Sequence, residues 1–357
     1  MNLHDLGYTD RLEQYRVEQQ LDGFAVGRVI AQHRDRYVVR TEAEVFDAEI
    51  TGNMRYTATG REDFPAVGDW VALNIADPDF ALIQAILPRS STLKRQAVGQ
   101  NRDIQIIATN INYAFLVQAA DRDWNINRLE RYLTICNSSD VSPIVLLTKI
   151  DLVENEHVEE IVRSIQHRIK DVPVIAISNE TKAGFDGLIR LIKPGRTYCM
   201  LGSSGVGKST LLNNLSGRAV MRTDAIGEKT GRGVHVTTHR ELTVLESGGI
   251  LIDNPGMREV SIADTSAGLE ATYDEITGIA EGCRFSNCIH TNEPGCAVIE
   301  AVEAGEIDRD TYENFLRLQR EKAHYSSTVA ARRKKDKDLG KIVKNYKKMV
   351  GDKRKGR

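Results

Sequence analysis

A glycine-rich segment constrains the fold of this chain more than any other part of the sequence. It reads Gly202-Ser203-Ser204-Gly205-Val206-Gly207-Lys208-Ser209, after an apolar strand predicted over 197–201 and before a helix predicted over 208–215. Glycines at this spacing let backbone N–H groups turn around phosphate oxygens, and the helix N-terminus adds a positive potential. Strand, loop and helix in this order predict a phosphate-binding loop in a largely parallel α/β sheet.

This loop and the first turn of its helix supply most of the predicted nucleotide contacts. We expect Lys208 to reach the β- and γ-phosphates and Ser209 to bind Mg²⁺ through its hydroxyl. Thr210 follows them and completes the predicted phosphate-binding set. A chance match to the motif is on the order of one in a hundred for average glycine usage, so a glycine turn without a ligand is the weaker interpretation.

A second motif, Thr148-Lys149-Ile150-Asp151, follows a strand predicted over 143–147. It matches the guanine-recognition pattern Asn-Lys-x-Asp, with Thr148 in place of the usual Asn. Asp151 is expected to accept hydrogen bonds from the guanine N1–H and exocyclic amine, a pair of donors that adenine lacks. The stem of Lys149 can lie over the purine, and Ser178, at the end of the next strand, can support the guanine carbonyl edge.

The order of these two motifs is the reverse of the usual one. In an ordinary GTPase the phosphate loop comes first, whereas here the guanine motif precedes it by about fifty residues. Because both motifs are intact, the sequence predicts a GTPase domain whose chain is circularly permuted. Permutation moves the ends of the domain, so different parts of the nucleotide site become tethered to the flanking segments.

Two further segments are predicted to complete the site. Asp253-Asn254-Pro255-Gly256 follows a strand predicted over 250–252, so Asp253 can contact Mg²⁺ through water and the Gly256 N–H can sense the γ-phosphate. Alone, such a sequence is usually an ordinary turn. In the glycine-rich stretch before it, Thr237 and Thr238 can both close on Mg²⁺ and the γ-phosphate, and we favour Thr238.

The catalytic group is less obvious, because Met257 occupies the position where many small GTPases carry a Gln that orients water. Hydrolysis then requires another residue, and His235 and His239 are the candidates beside Lys208 and Thr238. A surface or structural histidine is an equally good interpretation of either one.

A cluster of metal-ligand residues lies in the C-terminal part of the chain. Cys283, Cys288, His290 and Cys296 offer three thiolates and an imidazole, a full tetrahedral set for one structural Zn²⁺. An iron–sulfur centre is disfavoured because such centres usually take four cysteines. The other two cysteines, Cys136 and Cys199, are predicted to be small core residues.

The length and patterning of the chain predict three domains. The predicted boundaries are 1–102 for a five-stranded OB-type barrel with a linker, 103–262 for the permuted α/β GTPase, and 263–357 for a helical zinc domain with a tail. An SH3-like barrel is the alternative for the first domain. Residues 90–103 have no clear period and are expected to be the linker.

Charge and hydropathy limit the partners. Residues 331–357 carry 13 Lys and Arg against 3 Asp, in a chain of net charge -2. Such a basic tail favours nucleic acid first and an anionic membrane second, and a disordered solubilising tail is an equal alternative. No apolar run approaches the ~18 residues of a membrane span, and no signal peptide is evident, so we expect a cytoplasmic protein without a membrane partner.

Taken together, these motifs resemble the ribosome small-subunit-dependent GTPase A family of bacteria. Further matches are the segments 65–71 (PAVGDWV), 125–133 (NINRLERYL) and 293–296 (EPGC). The resemblance implies binding to the 30S subunit and its 16S rRNA late in assembly, with GTP hydrolysis stimulated by that subunit. It also implies that His235 is the catalytic histidine. We expect the protein to be a monomer. Thr148 and Val236 depart from the family pattern.

Two other classes of function are kept open. One is an RNA-binding scaffold with a vestigial nucleotide site, against which the intact Lys208, Ser209, Asp253 and Asp151 argue. The other is a regulatory GTPase that acts on mRNA or at a membrane. No amphipathic lipid-facing helix accompanies the tail, which favours structured RNA over lipid.

Overall fold

A computed structural model of the chain describes residues 1–33, 36–96, 104–121, 124–217, 241–253 and 266–323. The chain forms two compact units, Met1–Ser261 and Ile262–Arg357, and each is described by itself. Over the described ranges, no helix combines the length and the hydropathy that crossing a membrane requires.

The first unit begins with a short 3₁₀ helix (His4–Leu6), followed by helix α1 (Asp10–Glu18) and a five-stranded barrel. The barrel strands are β1 (Ala25–His33), β2 (Arg36–Thr41), β3 (Val45–Ile50), β4 (Trp70–Asp77) and β5 (Phe80–Ile86), with α2 (Gly52–Thr57) between β3 and β4. Strands β3 and β5 are parallel, the other neighbours are antiparallel, and β1 pairs with β4 to close the barrel. The predicted OB-type barrel is therefore confirmed.

Alternating burial along the barrel strands explains why this segment folds as it does. On β2, Tyr37 and Val39 point into the barrel core, and on β3, Phe46 and Ala48 do the same. Successive side chains of a strand point to opposite faces, so each of these strands contributes one apolar face to the interior.

The segment after the barrel corrects the linker prediction. Strand β6 (Thr92–Gln96) pairs antiparallel with β7 (Ile104–Thr109), so residues 92–96 are not a linker. The sequence conceals the strand because Leu93 is its single apolar residue, and Leu93 is fully buried. Backbone hydrogen bonds with β7 hold this strand in the sheet, although its side chains show no apolar alternation.

The second part of this unit is a sheet of the order β10-β9-β8-β11-β13-β12. Its strands are β8 (Tyr113–Ala119), β9 (Ser142–Thr148), β10 (Val174–Ala176), β11 (Thr197–Leu201), β12 (Glu241–Val244) and β13 (Ile250–Asp253). All pairings are parallel except that of β12 with β13. The strand that leads into the phosphate loop, β11, is central, and strands earlier in the chain lie to one side of it, as a permuted GTPase requires.

Helices cover both faces of this sheet. Helices α3 (Ile126–Ser138) and α4 (Asn155–Arg168) contribute Leu129, Leu133 and Ile161 to the core on one face. Helices α5 (Phe185–Leu191) and α6 (Lys208–Ser216) contribute Leu188 and Leu211 to the core on the other face. The predicted, largely parallel α/β arrangement is thus present.

The barrel is attached to the sheet at two points on β1. Its Ala31 pairs with Glu241 of β12. The Arg28 side chain is buried and donates hydrogen bonds to the carbonyls of Leu6 (2.6 Å), Gly68 (3.1 Å) and Asn110 (3.2 Å). Burial lowers the pKa of Arg28 to about 9, which still leaves its guanidinium charged at neutral pH.

The second unit is helical. It contains α7 (Ser266–Thr272), α8 (Asp274–Ala280), α9 (Ala297–Ala304) and a further helix described over 309–323. Tyr273, Val298, Phe315 and Leu318 are among the buried residues of its core. The loop between α8 and α9 carries the cysteine–histidine cluster.

Candidate nucleotide site and metal centre

The predicted nucleotide residues gather at one edge of the sheet. Because β8, β9, β10, β11 and β13 are parallel, their carboxyl ends meet there, and in open α/β sheets ligands bind outside those ends. Thr148 ends β9, Ser178 follows β10 closely, Gly202 follows β11, and Asp253 ends β13. The fold therefore brings the described parts of four separate predictions together.

The phosphate loop has the backbone shape that its glycines predict. Gly205 and Gly207 lie at φ +82° and +90°, in the left-handed region that favours glycine. A Cβ on Gly202 would stand 2.4 Å from the carbonyl oxygen of Val117 on β8, so the loop leaves no room for a side chain there. Helix α6 begins at Lys208, and its first turn holds Ser209 and Thr210 beside the loop.

Lys208 lies across the start of this loop. Its Nζ donates hydrogen bonds to the carbonyl oxygens of Gly202 (2.7 Å) and Ser203 (2.5 Å). The ammonium group is therefore held within the loop that would surround the phosphates. A positive charge at that place suits the multiply charged end of a nucleotide.

Thr148 connects the guanine motif to the phosphate loop. Its Oγ1 lies 2.7 Å from the carbonyl oxygen of Val206 and 3.2 Å from that of Gln118, and its side chain is fully buried. The hydroxyl has one proton to donate, and the shorter contact is the one to the phosphate loop. The Thr that departs from the usual Asn thus forms a direct hydrogen bond between the two motifs.

The rest of the guanine motif lies at the surface of the same edge. Lys149 has a φ of +58°, and its Nζ forms an ion pair of 3.1 Å with Asp121 Oδ2 just after β8. Asp151 follows in a short 3₁₀ helix and is exposed to solvent. An exposed carboxylate here is accessible to a base, as the predicted role requires.

The turn after β10 also contacts the phosphate loop. The buried Ser178 hydroxyl accepts hydrogen bonds from the backbone N–H groups of Glu180 (3.2 Å) and Thr181 (3.0 Å), so it shapes this turn. The Nδ2 of Asn179 donates to the carbonyl oxygen of Gly207 at 3.1 Å. The sequence does not single out Asn179, because its contact with Gly207 forms only on folding.

Several predicted residues lie outside the described part of the chain. They are Thr237, Thr238, His235, His239, Gly256 and Met257. Asp253 is described as the last residue of β13, and its neighbour Ile252 pairs with Cys199 of β11. The roles assigned to all of these residues stay predictions.

The cysteine–histidine cluster is compact. The ligand atoms of Cys283, Cys288, His290 and Cys296 all lie within 4.8 Å of one another. The Sγ atoms of Cys283 and Cys296 are 3.9 Å apart, and His290 Nδ1 lies 3.6 and 3.5 Å from them. Tetrahedral Zn²⁺ with Zn–S of about 2.3 Å and Zn–N of about 2.0 Å implies S···S of about 3.8 Å and S···N of about 3.5 Å. The four residues therefore fit zinc.

Neighbouring groups hold these ligands in place. Burial raises the pKa of Cys283, and the backbone N–H groups of Val298 and Ala297, at the start of α9, help to bring it below its usual value. The Tyr312 hydroxyl, from the following helix, donates to the carbonyl oxygen of His290 at 2.6 Å. Donors to a thiolate and a fixed ligand backbone are typical of a structural metal centre.

The fold and the site define a class of protein, the circularly permuted P-loop GTPases. The family model of the RsgA GTPase matches residues 86–263. The chain is 40% identical over 340 residues to the small ribosomal subunit biogenesis GTPase RsgA 2 of Listeria monocytogenes serotype 4b (strain F2365), covering 94% of this chain and 95% of that protein. It is 38% identical over 350 residues to RsgA 1 of Bacteroides thetaiotaomicron, covering 97% of each. This chain belongs to the RsgA GTPase family.

Two crystal structures share the fold. YjeQ from Thermotoga maritima has a TM-score of 0.61 at 24% identity, over 82% of this chain and 96% of that one. YloQ, whose structure is described as that of a circularly permuted GTPase, has a TM-score of 0.60 at 25% identity, over 84% and 94%. Permutation inferred from motif order thus agrees with the fold of solved relatives.

Proposed function

We propose that this protein binds the small ribosomal subunit late in its assembly and hydrolyses GTP there, so that nucleotide state controls binding to 16S rRNA and release from it. The names of relatives that match almost the whole chain support the process. The observation that carries the nucleotide chemistry is the 2.7 Å hydrogen bond from Thr148 Oγ1 to the Val206 carbonyl. That bond holds a guanine motif and a phosphate loop together as one site.

We assign the nucleotide contacts as follows. The loop from Gly202 to Ser209, with Thr210, holds the phosphates, and Asp151, Lys149 and Ser178 recognise the guanine. Ser209 and Thr238 bind Mg²⁺, Asp253 reaches it through water, and Gly256 contacts the γ-phosphate. Bound Mg²⁺ would neutralise charge on the β- and γ-phosphates. The position of Lys208 within the loop supports this assignment.

We assign water activation to His235, with His239 or an rRNA group as the alternative. Met257 has no group that orients water well, so intrinsic turnover should be slow and should rise on the small subunit. The variant His235→Ala should lose most of the stimulated rate and keep its nucleotide affinity. Normal hydrolysis by that variant on the subunit would move the assignment to His239 or to rRNA.

We assign subunit binding to the barrel (within 1–102), the zinc-binding part (263–357) and the basic tail, which flank the GTPase part (103–262). One structural Zn²⁺ would stabilise the helical part, whose ligand geometry supports it. The protein would act as a monomer in the cytoplasm, where small subunits are assembled. Phosphate contacts from the tail should make part of the affinity salt-dependent.

Two measurements test this function. Displacement of a fluorescent GDP by GTP but not by ATP tests the nucleotide site. Co-sedimentation with purified 30S subunits, with 50S subunits as the control, tests the partner. We expect tighter 30S binding with a non-hydrolysable GTP analogue than with GDP at both low and high salt, and equal affinities in the two states would contradict the coupling.

A further inference from the structure

The start of helix α3 is fixed rigidly beside the phosphate loop. Gln118, near the end of β8 and 1% exposed, donates from its Nε2 to the Asn125 carbonyl (3.0 Å) and accepts the Asn125 N–H (3.2 Å). The Asn125 side chain in turn caps the helix by accepting the Arg128 N–H at 3.0 Å. Strand β8 pairs directly with β11, the strand that leads into the loop.

These hydrogen bonds hold the start of α3 so that one cationic side chain contacts the phosphate loop. The Nη1 of Arg128 donates a 2.7 Å hydrogen bond to the hydroxyl of Ser203, the second residue of the phosphate loop. Lys208 donates to the carbonyl of the same residue. Two positive charges therefore meet at Ser203, where a nucleotide would bring several negative ones.

We propose that Arg128 is a further catalytic residue, an arginine supplied by the chain itself that contacts the transferring phosphoryl group. In the reaction, the water oxygen bonds to the γ-phosphorus while the bond from that phosphorus to the β–γ bridging oxygen breaks. GDP leaves with the electron pair, and the proton of the water passes to the products. Arg128 transfers no atom, and its guanidinium stabilises the charge that spreads over the γ-phosphoryl oxygens.

Two features of the chain favour this role over mere support of the loop. Met257 occupies the position where many small GTPases carry a Gln that orients the attacking water. Other residues must therefore lower the activation barrier of GTP hydrolysis. A guanidinium presents several N–H donors in a fixed plane that matches phosphate oxygens, and arginines that reach the transferring group raise turnover by about 10³–10⁵ in related phosphoryl transfers. The 2.7 Å contact places this guanidinium at the phosphate loop.

The variants Arg128→Ala, Arg128→Lys and Ser203→Ala separate the two roles. Ser203→Ala removes the hydrogen bond to the loop but keeps the guanidinium, whereas Arg128→Ala removes both. Arg163→Ala, an exposed arginine on the neighbouring helix α4, is the matched control. The readouts are fluorescent GDP affinity, binding of GDP with aluminium fluoride as a mimic of the transferring group, and single-turnover hydrolysis, each with and without 30S subunits.

We expect Arg128→Ala to bind GDP within about three-fold of the wild type, to lose binding of the fluoride complex, and to hydrolyse GTP at least a hundred-fold more slowly. Arg128→Lys should recover little of this, and added guanidinium should restore part of it. Arg163→Ala should behave like the wild type, and Ser203→Ala, which changes the phosphate loop itself, should lose far less hydrolysis and fluoride binding than Arg128→Ala. Retained fluoride binding in Arg128→Ala, or an equal loss in Ser203→Ala, would overturn the proposal.

The inference rests on the proposed GTPase function, and the wild-type protein separates their failures. A wild type that binds no guanine nucleotide contradicts the proposed function itself. A wild type that binds GDP but never the fluoride complex, with or without subunits, contradicts only the role of Arg128.

Discussion

Replacing Thr148 by valine tests the link between the two nucleotide motifs. The variant keeps the shape of the side chain and removes the hydroxyl that lies 2.7 Å from the Val206 carbonyl. Thr148 and Val206 are both almost fully buried, so water cannot replace the lost donor. A buried carbonyl left without a partner costs about 1–3 kcal/mol. Thr148→Val should therefore lower the free energy of unfolding of Met1–Ser261 by about 2 kcal/mol.

The same change should weaken nucleotide binding. A shift of about 2–4 °C per kcal/mol is typical of units of this size, so the melting temperature should fall by about 4–8 °C. If half of the cost falls on the loop shape that binds phosphates, GDP affinity should drop about five-fold, since about 1.4 kcal/mol corresponds to ten-fold. Thr148→Ser keeps the hydroxyl and is the control. Unchanged melting and unchanged GDP affinity in Thr148→Val would refute the link.

Three further predictions follow from the fold and the two sites. Asp151→Asn should shift the preference from guanine to xanthine nucleotides, measured by competition with fluorescent GDP, and an unchanged preference would exclude Asp151 as the base reader. Cys288→Ala should lose the single zinc measured by mass spectrometry and the hydrogen-exchange protection of 266–323, whereas Cys136→Ala should keep the metal. Arg28→Met should cost about 3–5 kcal/mol in urea unfolding because three carbonyls lose a buried charged donor; the exposed ion pair broken by Arg36→Met should cost under about 1 kcal/mol.

The barrel and the sheet could be predicted wherever side-chain pattern determines the element. Strands with an alternating apolar face, such as Tyr37 to Thr41, can be recognised in the sequence. So can the continuous apolar strand that runs into Thr148. Strand β6 does not, because one buried Leu93 gives no period and the partner β7 lies several residues away. Pairing that depends on backbone groups alone leaves little trace in side chains.

The site shows the same division. The spacing of the glycines predicts the loop shape from the sequence alone. Glycine is the residue that readily takes a φ near +90°, and only glycine fits beside Val117. The zinc ligands can likewise be predicted from their residue types and spacing. Arg128 and Asn179 could not be identified in this way, because an arginine or an amide becomes part of a site only through the neighbours that folding gives it. The partners that define their roles lie 75 and 28 residues away in the sequence.

The two attachments of β1 suggest how nucleotide state can reach the barrel. Glu241, where β12 begins, comes two residues after His239 and therefore directly follows the segment that carries Thr237 and Thr238. It pairs with Ala31, whereas Arg28, three residues earlier on the same strand, is fixed to the carbonyls of Leu6 and Asn110. A displacement of Glu241 on GTP binding must then either break its pairing with β1 or move that end of the strand relative to the fixed Arg28. Since the part of β1 beyond Arg28 also pairs with β2 of the barrel, moving that end of the strand would carry the nucleotide signal into the barrel.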